Sequence, residues 1–197
     1  MNIDTEHLHY WMNAVRQSPD PMRTMDAFWQ GQMKSKEWLI DCLGKHIHDS
    51  VKIDIHGGWV GVLASMIFQS NIPTRYICSV DLDPTCEPIA TMMNKMEEQD
   101  GRFRAITADM CSVPVSGDVI INTSCEHITQ DQYETWLARL PKDSIVVLQS
   151  NNYAIPEHIR IANSLDEFRK QSHLTELWSG SLKTQLYDRW MVIGRNV

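Results

Sequence analysis

The sequence predicts an α/β chain: a doubly wound, mostly parallel seven-stranded sheet with a C-terminal antiparallel hairpin, preceded by N-terminal helices. Three observations carry this reading. From Val51 onward, short apolar runs alternate five times with helical patterns, which implies a parallel sheet covered on both faces. Glycines cluster directly after the first run, at Gly57-Gly58 and Gly61, as at a strand-to-helix turn. Past residue 172 the alternation stops, and two β-like runs flank Ser179-Gly180-Ser181.

Along the chain, residues 5–16 read as a helix, because Leu8, Trp11, Met12 and Val15 recur at spacings of three and four. Ser18-Pro-Asp-Pro21 breaks it. Residues 34–47 read as a second helix, with Trp38, Leu39, Cys42, Leu43 and Ile47 along one face. Val51–Ile55 is the first strand, followed by an apolar helix from about Val60 to Phe68. Tyr76–Val80 is the second strand, and Pro84 marks the start of a helix that buries Ile89, Met92, Met93 and Met96. Phe103–Thr107 and Asp118–Asn122 are the third and fourth strands. A helix over 130–140 leads to the fifth, Ser144–Leu148. Leu174–Trp178 and Gln185–Ile193 form the hairpin. Right-handed crossovers place the loops after the parallel strands on one edge, where ligands collect.

The length, 197 residues, suits one domain over 1–197, with 1–50 as an N-terminal helical cap and 51–197 as the core. Hydrophobic residues make up 43% and charged residues 22%, ordinary for a globular chain. No apolar run approaches the roughly 18–20 residues of a membrane span. Met1-Asn2-Ile3-Asp4 lacks the basic and apolar regions of a signal peptide, so a cytoplasmic location is expected. The 5 cysteines are odd in number and include no C-x-x-C pair, which favours reduced thiols and no metal. A net charge of −7, with no basic run beyond Lys34-Ser35-Lys36, argues against a nucleic-acid partner and for a small-molecule one.

The stretch Ile53-Asp54-Ile55-His56-Gly57-Gly58-Trp59-Val60-Gly61 is the strongest local signal. Glycines at such a turn let backbone approach a ligand, and the helix start supplies free N–H groups. A turn needed only for packing would look the same. Asp81 follows the second strand, 23 residues after Gly58, where a carboxylate can accept from both ribose hydroxyls. Asp83 competes, or caps the following helix. Asp109 lies just beyond the third strand, placed to receive an adenine amino group.

Glycines after the first strand, Asp81 after the second and Asp109 after the third resemble, in this order, class I S-adenosylmethionine-dependent methyltransferases of the small-molecule type. Ser79-Val80-Asp81-Leu82-Asp83-Pro84 is similar to that family's second motif. The run from Asp118 through Asn122-Thr-Ser-Cys-Glu126-His127-Ile128 is similar to its strand-four motif. The resemblance covers roughly residues 50–150. It implies a Rossmann-like core, S-adenosylmethionine as cofactor and a small-molecule methyl acceptor. It further implies a cofactor site at Asp54, His56, Gly57, Gly58, Trp59, Gly61, Asp81, Leu82, Asp109, Met110 and Asn122. Catalytic candidates are Asn122, Glu126 and His127, with His127 either a general base or a residue that shapes the pocket. The glycine motif departs from the family pattern: His56 stands where a glycine is usual, and Trp59 is bulky for the turn.

For substrate contacts, Trp29 and Gln32 of the N-terminal segment are candidates: Gln32, Ser35 and Lys36 can place donors over a carboxylate with Trp29 closing a lid, while on a plain amphipathic helix, the reading favoured for the lysines, Lys34 and Lys36 lie in solvent. Asn151, Asn152 and Tyr153 after the fifth strand are suited to orienting a polar substrate, and the His158 region is a third source. Cys125 invites a covalent mechanism but is by type a small buried hydrophobe. Besides methyl transfer, the same fold accommodates aminocarboxypropyl transfer or a non-catalytic binding role.

Overall fold

The computed structural model describes residues 4–196. Met1–Ile3, at the start of the stretch read for a signal peptide, and Val197 lie outside the described residues. In chain order the elements are α1 (Thr5–Gln17), α2 (Pro21–Asp26), α3 (Gln30–Leu43), β1 (Val51–His56), α4 (Val62–Phe68), β2 (Thr74–Asp81), α5 (Cys86–Met93), α6 (Lys95–Gln99), β3 (Phe103–Thr107), β4 (Val119–Asn122), a 3-10 turn (Cys125–His127), α7 (Gln130–Leu137), β5 (Ile145–Asn151), α8 (Leu165–Ser172), β6 (Thr175–Lys183) and β7 (Asp188–Arg195). The seven strands run in the order β3-β2-β1-β4-β5-β7-β6. The first five are parallel, and β7 pairs antiparallel with both β5 and β6. This is the expected fold class.

Strand alternation builds two apolar layers, one on each face of the sheet. Val119, Ile121, Ile145, Val147, Met191 and Ile193 face the layer shared with α3, α4 and α5. Their neighbours Ile120, Val146, Leu148, Trp190 and Val192 face the layer that holds Tyr133 and Trp136 of α7 and Phe168 of α8. Helix α1 ties the N-terminus to the first layer: Trp11 Nε1 donates to Ser65 Oγ at 2.8 Å, and His7 Nε2 lies 2.9 Å from Glu97 Oε1.

Several elements differ from the sequence reading. The stretch after α1 does break the helix, but Asp20 accepts from the Arg23 N–H and starts the short α2 at Pro21. Helix α3 begins four residues earlier than expected, at Gln30, and ends four earlier, at Leu43, with Gly44 as its C-cap residue. The helix read through Met96 splits at Asn94, whose buried side chain donates to the Gly61 and Ala90 carbonyls at 3.0 and 2.9 Å. Helix α8 has no counterpart in the reading. Ser179-Gly180-Ser181 is not the hairpin turn: all three stay paired within β6, with the Trp178 indole lying over Gly180. The turn lies at Thr184–Tyr187, closed by the Thr184 N–H and hydroxyl donating to the Tyr187 carbonyl.

Gly61 has φ +81 and heads α4 against α5. A Cβ there would meet Asn94 Nδ2 at 2.7 Å and the Ala90 Cα at 3.0 Å. Gly61→Ala is expected to destabilise the chain by about 2–4 kcal/mol, from left-handed strain and overpacking together. A lowered urea midpoint with unchanged slope is the readout; an unchanged midpoint would refute the close approach.

Candidate active site

Because β1 to β5 are parallel, their carboxyl ends share one edge, and the antiparallel β7 begins there. A cavity of about 720 Å³ runs along that edge. Its lining follows the strand order: Asp109 and Met110 after β3, Asp81 and Leu82 at the end of β2, Gly57, Gly58 and Trp59 after β1, Asn122 to Ser124 and Glu126 to Ile128 after β4, Asn151 on β5 and Arg189 on β7. Gln32 and Lys36 of α3, and Arg23 of α2, reach it from the N-terminal helices.

Asp81 is the structural hinge of one half. Its Oδ2 accepts from the Trp59 N–H at 2.7 Å and its Oδ1 from the Asp83 N–H at 3.0 Å. A carboxylate has about four acceptor positions, so each oxygen keeps one for a ligand. Asp83 instead accepts from Thr85 and pairs with Arg23 at 2.7 Å. Those Thr85 hydrogen bonds hold its carboxyl below the usual range. The turn around Asp81 alternates left-handed residues, with φ +68 at Gly57, +48 at Trp59 and +81 at Gly61. Leu82 is 73% exposed and supplies an apolar wall beside the acid. Asp109 closes a turn on the Cys111 N–H at 2.9 Å.

Three residues expected in the cofactor site, Asp54, His56 and Gly61, do not line the cavity. In β1, Ile53 and Ile55 face one layer, so Asp54 and His56 face the other. Asp54 Oδ2 accepts from the Ser116 and Gly117 N–H groups at 2.9 and 2.8 Å, tying the loop before β4. His56 Nδ1 accepts from Trp136 Nε1 at 2.6 Å. Gly61 packs on α5 and is likewise outside the lining. Trp29, the N-cap residue of α3, is 67% exposed and is not among the residues that line the cavity. Asn152 continues the pairing with Asp188 rather than entering the cavity.

The other half, toward β5 and β7, holds a polar corner. Glu126 Oε1 accepts from Asn151 Nδ2 at 2.6 Å and lies 3.8 Å from Arg189. Arg189 also donates to Gln149 Oε1 at 3.1 Å and to the Thr123 carbonyl at 2.6 Å, and Ser35 donates to the same Gln149 oxygen. Asn122 Oδ1 accepts from the Ser124 N–H at 2.9 Å. Tyr153 stacks with Tyr187, ring centroids 5.5 Å apart. Contrary to the sequence reading, Lys36 is not in solvent. It donates to Gln32 Oε1 at 3.1 Å, and burial, with Arg189 nearby, pushes its ammonium down to about 7. Lys36, Leu39, Ile40 and Leu43 share one helical stripe, and that periodicity is the signal that marked it. Arg189, next to Trp190-Met191-Val192, was detectable as a charge entering an apolar strand. Cys125 is fully buried, and burial pushes its thiol up to about 12, which leaves it unsuited to act as a nucleophile.

Burial pushes the His56 imidazole down to about 4, against a smaller opposing pull from Asp54. The folded value lies below the ordinary 6.5, so the unfolded chain takes up the proton first as pH falls. His56 therefore costs no stability above about pH 6.5 and removes about 3 kcal/mol between 6.5 and 4. Urea unfolding across that range is expected to show a shallower loss for His56→Asn. An identical slope for both chains would refute the assignment.

No family model matches the chain, and no curated protein matches it. Solved structures do. The N-methyltransferase NodS from Bradyrhizobium japonicum, solved with S-adenosyl-L-homocysteine, aligns over 95% of this chain and 98% of its own at 14% identity, TM-score 0.67. The magnesium protoporphyrin IX methyltransferase ChlM from Synechocystis PCC 6803, also with S-adenosyl-L-homocysteine, aligns over 98% and 95% at 12% identity, TM-score 0.68. The [4+2]-cyclase SpnF aligns over 84% and 82% at 11% identity, TM-score 0.68. The chain thus has the class I S-adenosylmethionine-dependent methyltransferase fold, with the terminal antiparallel hairpin that its sequence predicted.

Proposed function

We propose that the chain transfers a methyl group from S-adenosylmethionine to a small-molecule acceptor. The observation that carries this is the position of Gly57, Asp81 and Asp109 at the ends of three neighbouring strands, lining one cavity, with acceptor capacity left on both oxygens of Asp81. The residues fit the group. Asp81 accepts from the ribose hydroxyls, Asp109 from the adenine amino group, and Leu82 and Met110 supply apolar walls for the base. Gly57 and Gly58 bring backbone to the methionine end, beside Asn122 and Ser124. NodS and ChlM hold S-adenosyl-L-homocysteine, which supports the same ligand here. SpnF, named as a cyclase, is a reminder that the reaction rests on the site and not on the fold.

When bound, the cofactor supplies a methyl group already activated on its sulfonium, so the protein chiefly aligns the acceptor and handles its proton. Strand order divides the labour: the nucleoside half lies toward β3 and β2, the acceptor half toward β4, β5 and β7. There Gln32, Lys36, Asn151, Tyr153 and Arg189 offer donors to an acceptor carrying oxygen atoms, and Glu126 and His127 receive or hold its proton. The paired cations Lys36 and Arg189 favour an acceptor with anionic character.

Calorimetric titration with S-adenosyl-L-homocysteine tests the nucleoside half. Asp81→Ala is expected to weaken binding at least about 100-fold, through two lost hydrogen bonds to a charged acceptor. Asp109→Ala is expected to cost about 10-fold. Unaltered affinity in Asp81→Ala would overturn the ribose assignment. In turnover, release of methylthioadenosine in place of S-adenosyl-L-homocysteine would overturn methyl transfer.

A further inference from the structure

The acceptor half contains three donors whose arrangement goes beyond what methyl transfer requires. Glu126, His127 and His158 line the cavity, and each offers one ligand atom within 4.8 Å of the other two. The two imidazole rings meet edge to face, centroids 4.8 Å apart. His127 Nδ1 lies 3.1 Å from the Glu157 carbonyl oxygen and His158 Nδ1 lies 2.7 Å from the Tyr153 carbonyl oxygen. A carbonyl only accepts, so each ring donates from Nδ1. In its neutral form each then carries its free lone pair on Nε2.

Glu126 shows the same preparation from the other side. It is 3% exposed, and its Oε1 is held by Asn151 with Arg189 close by. Its Oε2 is buried and has no partner among the described residues. A buried carboxylate oxygen left unpaired is costly, and here it belongs to a side chain of the cavity wall. Backbone carbonyls that orient two imidazoles, and an amide that orients the carboxylate, are the outer contacts that metal ligands characteristically have.

We propose that Glu126, His127 and His158 bind a divalent transition-metal cation, through Glu126 Oε2 and the two imidazole Nε2 atoms. Two nitrogen donors and one carboxylate suit manganese, iron, cobalt, nickel or zinc better than magnesium or calcium. Ligand atoms at about 2.0–2.2 Å from such an ion stand roughly 3–4 Å apart. Atoms within 4.8 Å of one another are close to that spacing, and small rotations of the exposed His127 and half-buried His158 side chains bring them to it. Three protein ligands leave coordination positions open to the cavity. The site rests on the ligand set alone; its use in catalysis rests on the methyl-transfer reading. In that setting an acceptor hydroxyl or carboxylate oxygen enters the open positions, and the cation takes over from His127 the task of favouring the deprotonated acceptor.

The experiment is titration of the full chain, freed of metal with a chelator, with cobalt(II), followed by visible absorption and then by competition with zinc(II). One cobalt per chain, with ligand-field bands that zinc abolishes, is expected. His158→Ala and His127→Gln are each expected to weaken binding at least about 10-fold, and Glu126→Gln similarly. Thermal unfolding of each variant checks that the fold persists, and exposed His127→Gln is the variant least able to disturb it. No cobalt band in the parent, or equal affinity in folded His127→Gln and His158→Ala, would overturn the proposal. Titration of the parent with S-adenosyl-L-homocysteine runs in parallel. Cobalt binding without the nucleoside refutes the methyl-transfer reading and keeps the metal site, whereas the reverse refutes the metal site alone.

Discussion

The carboxylate of Asp81 is the constraint on which the cavity depends. It joins the loop after β1 to the loop after β2, with one oxygen on the Trp59 N–H and the other on the Asp83 N–H. A tryptophan with φ +48 stands in a region that costs an L-residue about 1–2 kcal/mol. A hydrogen bond to an ionised acceptor offsets that strain. The same bond explains how a bulky residue is tolerated within a ligand-facing turn: the backbone of Trp59 is fixed while its ring packs partly against the core. One side chain thus shapes the turn and presents the acid.

The opposite half is organised by a buried polar chain rather than by a turn. Ser35, Gln149, Arg189, Thr123, Glu126 and Asn151 link α3, β5, β7 and the loop after β4. Buried charge pairs are weak sources of stability, since desolvation consumes most of the attraction. Their effect here is geometric: they hold donors and acceptors from four elements at the cavity wall. Lys36, drawn into the same corner by the apolar stripe of α3, adds a cation whose charge is poised near neutrality.

Much of the fold was legible because its signals are local. Alternating runs marked β1 to β5, Asp81 stood out because it directly follows an apolar strand, and Asp109 because it lies just beyond the third. The errors fall where a distant contact overrides the local signal. Gly180 reads as a turn residue but lies in a strand, paired with Met191 of β7. Asn94 interrupts a helix that methionine spacing would continue, because its amide reaches the Gly61 carbonyl. Asp54 and His56 belong to the glycine motif by position, yet neither lines the cavity: the two-residue period of β1 sets both opposite Ile53 and Ile55, His56 against Trp136 of α7 and Asp54 against the loop before β4.

The sequence by itself determined the element types, the parallel sheet with its terminal hairpin, and the edge at which a ligand site forms, because periodicity and turn chemistry act over a few residues. Tertiary structure alone decided which side chains meet there. Lys36, Glu126, Asn151, His158 and Arg189 lie far apart in the chain and come together only through the strand order β1-β4-β5-β7 and the packing of α3 across it. No short-range pattern encodes that convergence, since it depends on which strands pair and on which face each residue then points.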